Sequence, residues 1–377
     1  MKTLFNEHSK LIVMLLDGLG MDYYTSGAMP YLNSLGNKGI FRRVDGIFPS
    51  VTNVNNVSVC CGNWPVEHGI TANSYYDRQN DRVEYMNSSA LIKTPTLFQK
   101  AASAGFGDTT ALFTSKRKTL ELFNVDAAMS VVAEEASAEM IQRYGPPDSI
   151  YSIEINHWLL RAAADSLRRL KKIRVMYIHI TDYPMHRWAP DEPESLAHLR
   201  GLDAAIEEIV DAAGPGALFL FTADHGMNAK KRCWDLAKVC AEQGCPVKFF
   251  LSPERDYYVP HHRNFTGCGW LYLNSPKDTD RVAEICRNLE GVEEVVSGAE
   301  AAQRYHLPLD HLGEVVVLGD VDTMFGHMDS ASEALTDYRA HGSLHEMDLP
   351  LVVYPAHPKL PAADFFRYNK DLTAFIQ

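Results

Sequence analysis

The chain has 377 residues, enough for one large hydrophobic core with a smaller insert, and its 46% hydrophobic and 22% charged residues are typical of a globular protein rather than a disordered one. Its 48 acidic residues outnumber the 36 basic ones, which gives a net charge of −12, and no basic block occurs. These features disfavour nucleic-acid binding, and no apolar run is long enough to predict a membrane span.

The first predicted strand is the apolar run in LIVMLLDGLG, residues 11–20. A signal peptide is the alternative for an apolar run so near the start of a chain. However, Glu7 and His8 precede the run and Asp17 closes it, which is typical of a buried strand. The seven Cys show neither zinc-finger spacing nor a disulfide framework. We therefore expect a buried strand here and a cytoplasmic protein.

The segment FPSVTNVNNVSVCCG, residues 48–62, begins with polar residues and then becomes apolar. Ser and Thr at the start of such a run usually cap a helix, because their oxygens accept hydrogen bonds from the free N–H groups of the first turn. Thr52 is therefore either a helix cap or a nucleophile that lies at a helix N-terminus.

Two further apolar runs each end in polar residues, RVMYIHITDYPMH at 174–186 and ALFLFTADHGMN at 217–228. Amphipathic helical patterns occur at 94–105 and 198–214. Alternating strands and helices predict an α/β fold in which helices flank a mostly parallel sheet. Ligands bind at the carboxyl ends of the strands in such sheets, so we expect Asp17, Asp182 and Asp224 to lie along one edge.

The pattern changes between residues 229 and 327, where GWLYLNS and EVVVLGD indicate strands and TDRVAEICRNLEG indicates a helix. This predicts a smaller α/β insert that acts as a lid. The catalytic core would then comprise residues 1–228 and 328–377. The segment HGSLHEMDLPLVVYP, 341–355, is predicted to rejoin the main sheet.

A metal site is predicted from the whole set of polar residues rather than from any one of them. Three carboxylates close together repel one another unless a cation lies between them, and carboxylate with imidazole suits zinc. The candidate ligands are Asp17, Thr52, Asp182, His186, Asp224, His225, and either His341 or His345.

Seven segments between residues 15 and 352 carry a family resemblance. They are LLDGLG, FPSVTNVNNVSVCCGNWPVEHGITANSYYD, TSKRK, ITDYPMHRWAP, TADHGMNAK, YVPHH and HGSLHEMDLPLV. With them the sequence resembles the alkaline phosphatase superfamily and, within it, the phosphonoacetate hydrolase family. The Asp, Thr and Asp-His set is typical of the superfamily, whereas TANSYYD and the Lys-x-Lys segment are typical of the narrower family.

The resemblance implies an alkaline phosphatase-like core with two zinc ions per chain, although Mn²⁺ or Fe²⁺ in their place stays open. One ion would be held by Asp182, His186 and His341. His341 is favoured over His345 because it stands in the His-Gly context that the superfamily uses for its last zinc ligand. The other would be held by Asp17, Thr52, Asp224 and His225. Thr52 would be the nucleophile, Asn73 and His186 would contact the phosphonate, and Lys116 and Lys118 would bind the substrate carboxylate.

The implied reaction is hydrolysis of the C–P bond of phosphonoacetate to acetate and phosphate through a phosphothreonine intermediate. The alternatives are a phosphodiesterase or nucleotide pyrophosphatase on the same two-metal site, and a hydrolase of a related phosphonate. A non-catalytic binding protein would need an incomplete nucleophile or ligand set, and here the set is complete. The expected partner is a small-molecule phosphonate, with no nucleic acid and no membrane. A homodimer and the roles of Arg117, His261 and His262 stay open.

Overall fold

The computed structural model describes residues 8–123 and 129–376. The strands are β1 (Lys10–Leu15), β2 (Ile40–Asp45), β3 (Ser74–Asp77), β4 (Arg82–Tyr85), β5 (Thr110–Thr114), β6 (Met129–Val132), β7 (Val175–His179), β8 (Ala217–Thr222), β9 (Asn228–Trp234), β10 (Phe249–Leu251), β11 (Cys268–Tyr272), β12 (Val292–Ser297), β13 (Val315–Gly319), β14 (Thr323–Phe325), β15 (Ser332–Ala340) and β16 (Asp348–Tyr354).

The helices are α1 (Met21–Tyr24), α2 (Pro30–Lys38), α3 (Thr52–Cys61), α4 (Pro65–His68), α5 (Leu97–Ser103), α6 (Arg117–Phe123), α7 (Ala138–Tyr144), α8 (Glu154–Arg169), α9 (Tyr183–Arg187), α10 (Pro193–Ala213), α11 (Leu236–Glu242), α12 (Val259–His262), α13 (Thr279–Arg287), α14 (Gly298–Tyr305) and α15 (Asp371–Ala374). Helices α8 and α10 pack against each other, and α10 also packs against α2. None of the helices in the described ranges is long and apolar enough to cross a membrane.

The main sheet has seven strands in the order β2-β16-β8-β1-β7-β5-β6. Strands β8, β1, β7, β5 and β6 run parallel, whereas β16 is antiparallel to both of its neighbours. Every residue of β5, β7 and β8 is buried, because helices cover both faces of a largely parallel sheet. The predicted α/β class is therefore confirmed, and the apolar runs at 11–20, 174–186 and 217–228 form β1, β7 and β8.

A second, antiparallel sheet has the order β10-β11-β13-β12. Its two faces carry separate hydrophobic clusters, because alternate residues of a strand point to opposite sides. Leu271 and Val317 belong to one cluster, whereas Trp270 and Val316 belong to the other. This sheet therefore has a core on each face that is separate from the core of the main sheet.

A small third sheet places β9 between β14 and β15. It joins strands from both sides of the predicted insert boundary at residue 327, because β14 ends before that residue and β15 begins after it. The lid role of the insert stays a prediction, as do its boundaries at 229–327 and those of the core at 1–228 and 328–377. Residues 1–7, 124–128 and 377 lie outside the described residues.

Candidate active site

Three aspartates follow three neighbouring parallel strands at the carboxyl edge of the main sheet. Asp17 follows β1, Asp182 follows β7 and Asp224 follows β8, each within three residues of the strand end. All three carboxylates are buried. The strand order places β1 between β7 and β8, so the three loops converge at one edge.

These aspartates and three histidines form two groups of potential metal ligands. Asp182, His186 and His341 form the first group, and Asp17, Asp224 and His225 form the second. Within each group one ligand atom per residue lies within 4.8 Å of the others. Asp182 Oδ2 lies 2.8 Å from His186 Nε2 and 3.7 Å from His341 Nε2. His225 Nε2 lies 3.4 Å from Asp17 Oδ1 and 3.5 Å from Asp224 Oδ2.

Backbone carbonyls determine the tautomers of the three histidines. Nδ1 of His186 lies 2.8 Å from Arg339 O, that of His225 lies 3.0 Å from Gly226 O, and that of His341 lies 2.8 Å from Ser50 O. A carbonyl oxygen only accepts, so each Nδ1 carries the proton and donates. Each Nε2 therefore presents a lone pair to its group, as a metal-ligating imidazole must.

The residues fit a bound cation. Both oxygens of Asp17, Asp224 Oδ2 and His186 Nε2 are buried without a hydrogen-bond partner among the described residues. Burial raises the pKa of Asp17 well above its ordinary value, and the carboxylates of Asp182 and Asp224 raise it further. A divalent cation would satisfy these atoms and offset the repulsion, and mixed nitrogen and oxygen donors suit zinc.

Lys116 lies between the two groups. Its Nζ is 3.4 Å from Asp182 Oδ1 and 3.7 Å from Asp17 Oδ2. Burial would lower the pKa of this ammonium, but the carboxylates of Asp182 and Asp17 raise it above its ordinary value. In turn Lys116 and His186 hold the pKa of Asp182 well below its ordinary value, although burial alone would raise it. The lysine therefore stays charged at this edge of the site.

Thr52 is the first residue of α3 rather than its cap. Val51 occupies the N-cap position, and its apolar side chain cannot accept a hydrogen bond. The Thr52 hydroxyl lies instead 3.3 Å from His225 Nε2, beside the second ligand group. The free N–H groups of the first turn of α3 belong to Thr52 and to the residues that directly follow it. The helix-cap interpretation is thus wrong, and the nucleophile interpretation stays a prediction.

The polar residues that follow Thr52 hold α3 in the core. Asn55 accepts a hydrogen bond from Ile47 N at 2.7 Å, and Asn56 accepts one from the Tyr177 hydroxyl at 2.7 Å. Asn53 donates to Met86 O at 2.9 Å. Buried amides need such partners, so this run anchors the helix whose first residue is Thr52.

One cavity joins the predicted nucleophile to the predicted substrate-binding residues. Thr52, Asn73, Lys116 and Lys118 all line it, together with His341 and Asp182. Lys118 forms a buried ion pair with Asp256, and burial lowers the pKa of this lysine. A substrate carboxylate would therefore have to compete with Asp256 for Lys118.

The loop and short helix between β10 and β11 form one wall of this cavity. We call residues 252–264 the roof segment. It contributes five of the lining residues, which are Glu254, Asp256, Tyr258, His261 and His262. Sequence reasoning missed the first three, and the signal was weak: Glu254 and Asp256 lie shortly before the YVPHH segment, and Tyr258 is its first residue. His179 was also missed: its Nε2 lies 3.3 Å from Asp17 Oδ2, and burial lowers its pKa to about 4.

Two residues that the sequence left open lie away from the ligand groups. His345 Nε2 lies 2.7 Å from Glu293 Oε2 on a partly exposed surface, so its ring is directed away from His341. The Arg117 side chain is half exposed and pairs with Glu121 and Glu135.

A buried ion pair supports the loops that carry two of the histidines. Glu346 accepts hydrogen bonds from Lys230 Nζ at 2.8 Å and from Ser343 Oγ at 2.7 Å. Its backbone oxygen accepts from Gly226 N at 2.7 Å. Ser343 O accepts from the Ser50 hydroxyl at 2.6 Å. Glu346 therefore links the loop after His341 to the loop after His225.

Comparisons with known proteins point to one family. A family model for type I phosphodiesterase / nucleotide pyrophosphatase matches residues 11–344. The solved phosphonoacetate hydrolase of Sinorhizobium meliloti 1021, in complex with phosphonoacetate, is 26% identical with a TM-score of 0.85, over 98% of this chain and 95% of that chain. This likeness confirms the predicted relation to phosphonoacetate hydrolases and the alkaline phosphatase-like fold, and it supports an enzyme of this type.

Two further proteins are similar to this chain, one in fold and one in sequence. Murine ectonucleotide pyrophosphatase / phosphodiesterase 5 has a TM-score of 0.69 at 15% identity, over 97% of this chain and 94% of that chain. A bis(5'-adenosyl)-triphosphatase of Xenopus laevis is 26% identical over 235 residues, which is 58% of this chain and 47% of the relative. The chain thus spans about half the length of the curated relatives it matches.

Proposed function

This chain belongs to the type I phosphodiesterase / nucleotide pyrophosphatase family, and from that premise we propose that it is a metal-dependent hydrolase of the C–P bond of phosphonoacetate, giving acetate and phosphate. The observation that carries the proposal is the cavity that joins Thr52 to Lys116, whose side chain is 12% exposed, and to the buried Lys118. A phosphodiester carries one negative charge and needs no such cations, whereas a carboxylated phosphonate does.

We propose two zinc ions, held by the two ligand groups with Thr52 added to the second. Bound there, metal ions would supply Lewis-acid chemistry that lowers the pKa of a hydroxyl and offsets negative charge on the phosphonate. Asn73 and His186 are proposed to contact the phosphonate, and Lys116 and Lys118 the carboxylate.

Thr52 is the proposed nucleophile. Its oxygen forms a bond to phosphorus while the P–C bond breaks, and the electron pair stays on carbon as the enolate of acetate, which then takes a proton. Water next hydrolyses the phosphothreonine and releases phosphate. The free N–H groups at the start of α3 would stabilise the phosphoryl oxygens in both steps.

A phosphodiesterase or nucleotide pyrophosphatase is the second candidate, favoured by the family match and by two tyrosines. The rings of Tyr257 and Tyr258 lie 4.6 Å apart, and Tyr257 is 42% exposed, so a nucleobase could stack there. Hydrolysis of a related phosphonate remains a variant of the first proposal. A cytoplasmic location and the absence of nucleic-acid and membrane partners stay predictions, and a homodimer stays open.

The test measures phosphate release from phosphonoacetate and nitrophenol release from a nitrophenyl phosphodiester with zinc-loaded protein. We expect a preference for phosphonoacetate. The double variant Lys116→Ala, Lys118→Ala should lose far more phosphonoacetate turnover than diester turnover. A preference of the wild-type protein for the diester, or equal losses in the variant, would favour the phosphodiesterase instead.

A further inference from the structure

Two buried acceptor atoms of the active-site cavity have no donor. Glu254 Oε1 and Asn73 Oδ1 lack a hydrogen-bond partner among the described residues, and both residues are 2% exposed. Neither residue belongs to the two predicted ligand groups, so bound metal ions would not satisfy them. Buried acceptors are normally paired, and both of these residues line the cavity that holds Thr52.

The geometry aims both acceptors at the reacting part of a substrate. Asn73 Nδ2 donates to Glu254 Oε2 at 3.2 Å, so the amide keeps its oxygen free and retains one N–H for a phosphonate. Glu254 Oε1 lies 3.6 Å from Nδ1 of His341, beside the first ligand group. Glu254 Oε1 therefore lies beside the first ligand group, and Asn73 is hydrogen-bonded to the same carboxylate.

The charges of the cavity point to the kind of donor. Outside the ligand groups, the charged residues that line the cavity are Lys116, Lys118, Glu254 and Asp256. Asp256 already pairs with Lys118. Fully ionised phosphonoacetate offers only acceptors and negative charge, so it supplies no donor to a Glu254 carboxylate. A substrate that carries an ammonium group would supply both the missing donor and a compensating charge.

We propose, on the basis of the proposed function, that the substrate is an α-amino derivative of phosphonoacetate whose ammonium donates to Glu254 and Asn73. Its carboxylate would still meet Lys116. Thr52 oxygen bonds to phosphorus as the P–C bond breaks, the electron pair on carbon takes a proton, and water hydrolyses the phosphothreonine. The sum is aminophosphonoacetate plus water giving glycine plus phosphate.

The first experiment compares kcat/KM of the zinc-loaded protein for aminophosphonoacetate, hydroxyphosphonoacetate and phosphonoacetate. We expect the amino compound to lead each of the others by at least about tenfold, because a hydroxyl supplies a donor without a charge. Glu254→Gln should lower the ratio of kcat/KM for aminophosphonoacetate to kcat/KM for phosphonoacetate by at least about tenfold. Glu208→Gln, the same change on an exposed helix side chain, should keep the wild-type ratio.

Calorimetric binding of the same compounds to zinc-loaded Thr52→Ala protein separates the two proposals. Hydrolysis of phosphonoacetate with no amino preference in rate or binding would overturn the substrate inference and leave the proposed function intact. Tighter binding of the amino compound without hydrolysis of any phosphonate would support recognition of its ammonium by Glu254 and Asn73, and it would overturn the proposed function. An unchanged ratio in Glu254→Gln would also overturn the inference.

Discussion

Removing the Lys230 side-chain charge should destabilise the fold strongly, although this lysine is not a predicted ligand. Lys230 and Glu346 form an ion pair of 2.8 Å in which both side chains are fully buried. Lys230→Met keeps most of the aliphatic stem but leaves the Glu346 carboxylate without its cation. Breaking a buried pair in this way typically costs about 3–5 kcal/mol.

The expected change in melting temperature follows from the size of the chain. Unfolding entropy of about 2 cal/mol/K per residue gives about 0.8 kcal/mol/K for 377 residues. A loss of about 3–5 kcal/mol in the free energy of unfolding therefore lowers the melting temperature by about 4–6 °C. Scanning calorimetry of the wild-type and variant proteins at pH 7.5 measures this difference directly.

The pH dependence of the loss identifies its cause. In the wild-type protein burial would raise the pKa of Glu346, but the Lys230 ammonium holds it below its ordinary value. The carboxylate therefore adds stability at neutral pH, which is lost only as the pH falls through its lowered pKa. Without Lys230, burial raises the pKa of Glu346. The destabilisation of the variant therefore grows as the pH rises above the ordinary pKa of a glutamate. The difference in the free energy of unfolding between the wild-type protein and Lys230→Met should therefore shrink by up to about 1.4 kcal/mol per pH unit as the pH falls from 7.5 to 5.5.

The neighbouring residue offers a matched control. Lys231 is 69% exposed in its side chain and pairs with Asp322 at 2.8 Å, so Lys231→Met should cost less than about 1 kcal/mol. Similar small losses in both variants, or a Lys230→Met loss that does not change with pH, would refute the reasoning from burial.

Three other predictions concern the site and the core. Thr52→Ala should remove nearly all turnover while zinc still binds, and retention of more than about a tenth of the rate, a loss of only about 1.4 kcal/mol, would exclude a nucleophilic role. Zinc at about 100 times its dissociation constant should stabilise the protein by about 2.7 kcal/mol per site, and thermal scans of Asp17→Asn should show a smaller zinc-induced rise. Burial lowers the pKa of His68 from 6.5 to about 3, so its contribution to stability is present above pH 6.5 and is lost as the pH falls below it. Between pH 6.5 and 4.5 the free energy of unfolding should therefore fall by about 2 kcal/mol less in His68→Gln than in the wild-type protein. The same fall in both proteins would mean that His68 titrates normally.

The sequence by itself determined the α/β class and the edge at which the chemistry lies. Parallel strands buried on both faces must be apolar along their length, so β1, β7 and β8 appeared as apolar runs. The polar residue that ends each run marks the carboxyl edge of the sheet, where Asp17, Asp182 and Asp224 lie. These features are local in the chain, and they can be recognised without knowing which elements are neighbours.

Only the tertiary structure decided which side chains meet across long separations. His341 reaches Asp182, whereas His345, four residues later, faces Glu293, because the 343–346 turn directs the two rings apart. The roof segment brings Glu254 and Asp256 to Asn73 and Lys118, although more than a hundred residues separate each pair in the chain. Such contacts depend on how a loop crosses the sheet edge, and no periodicity or short motif records that path.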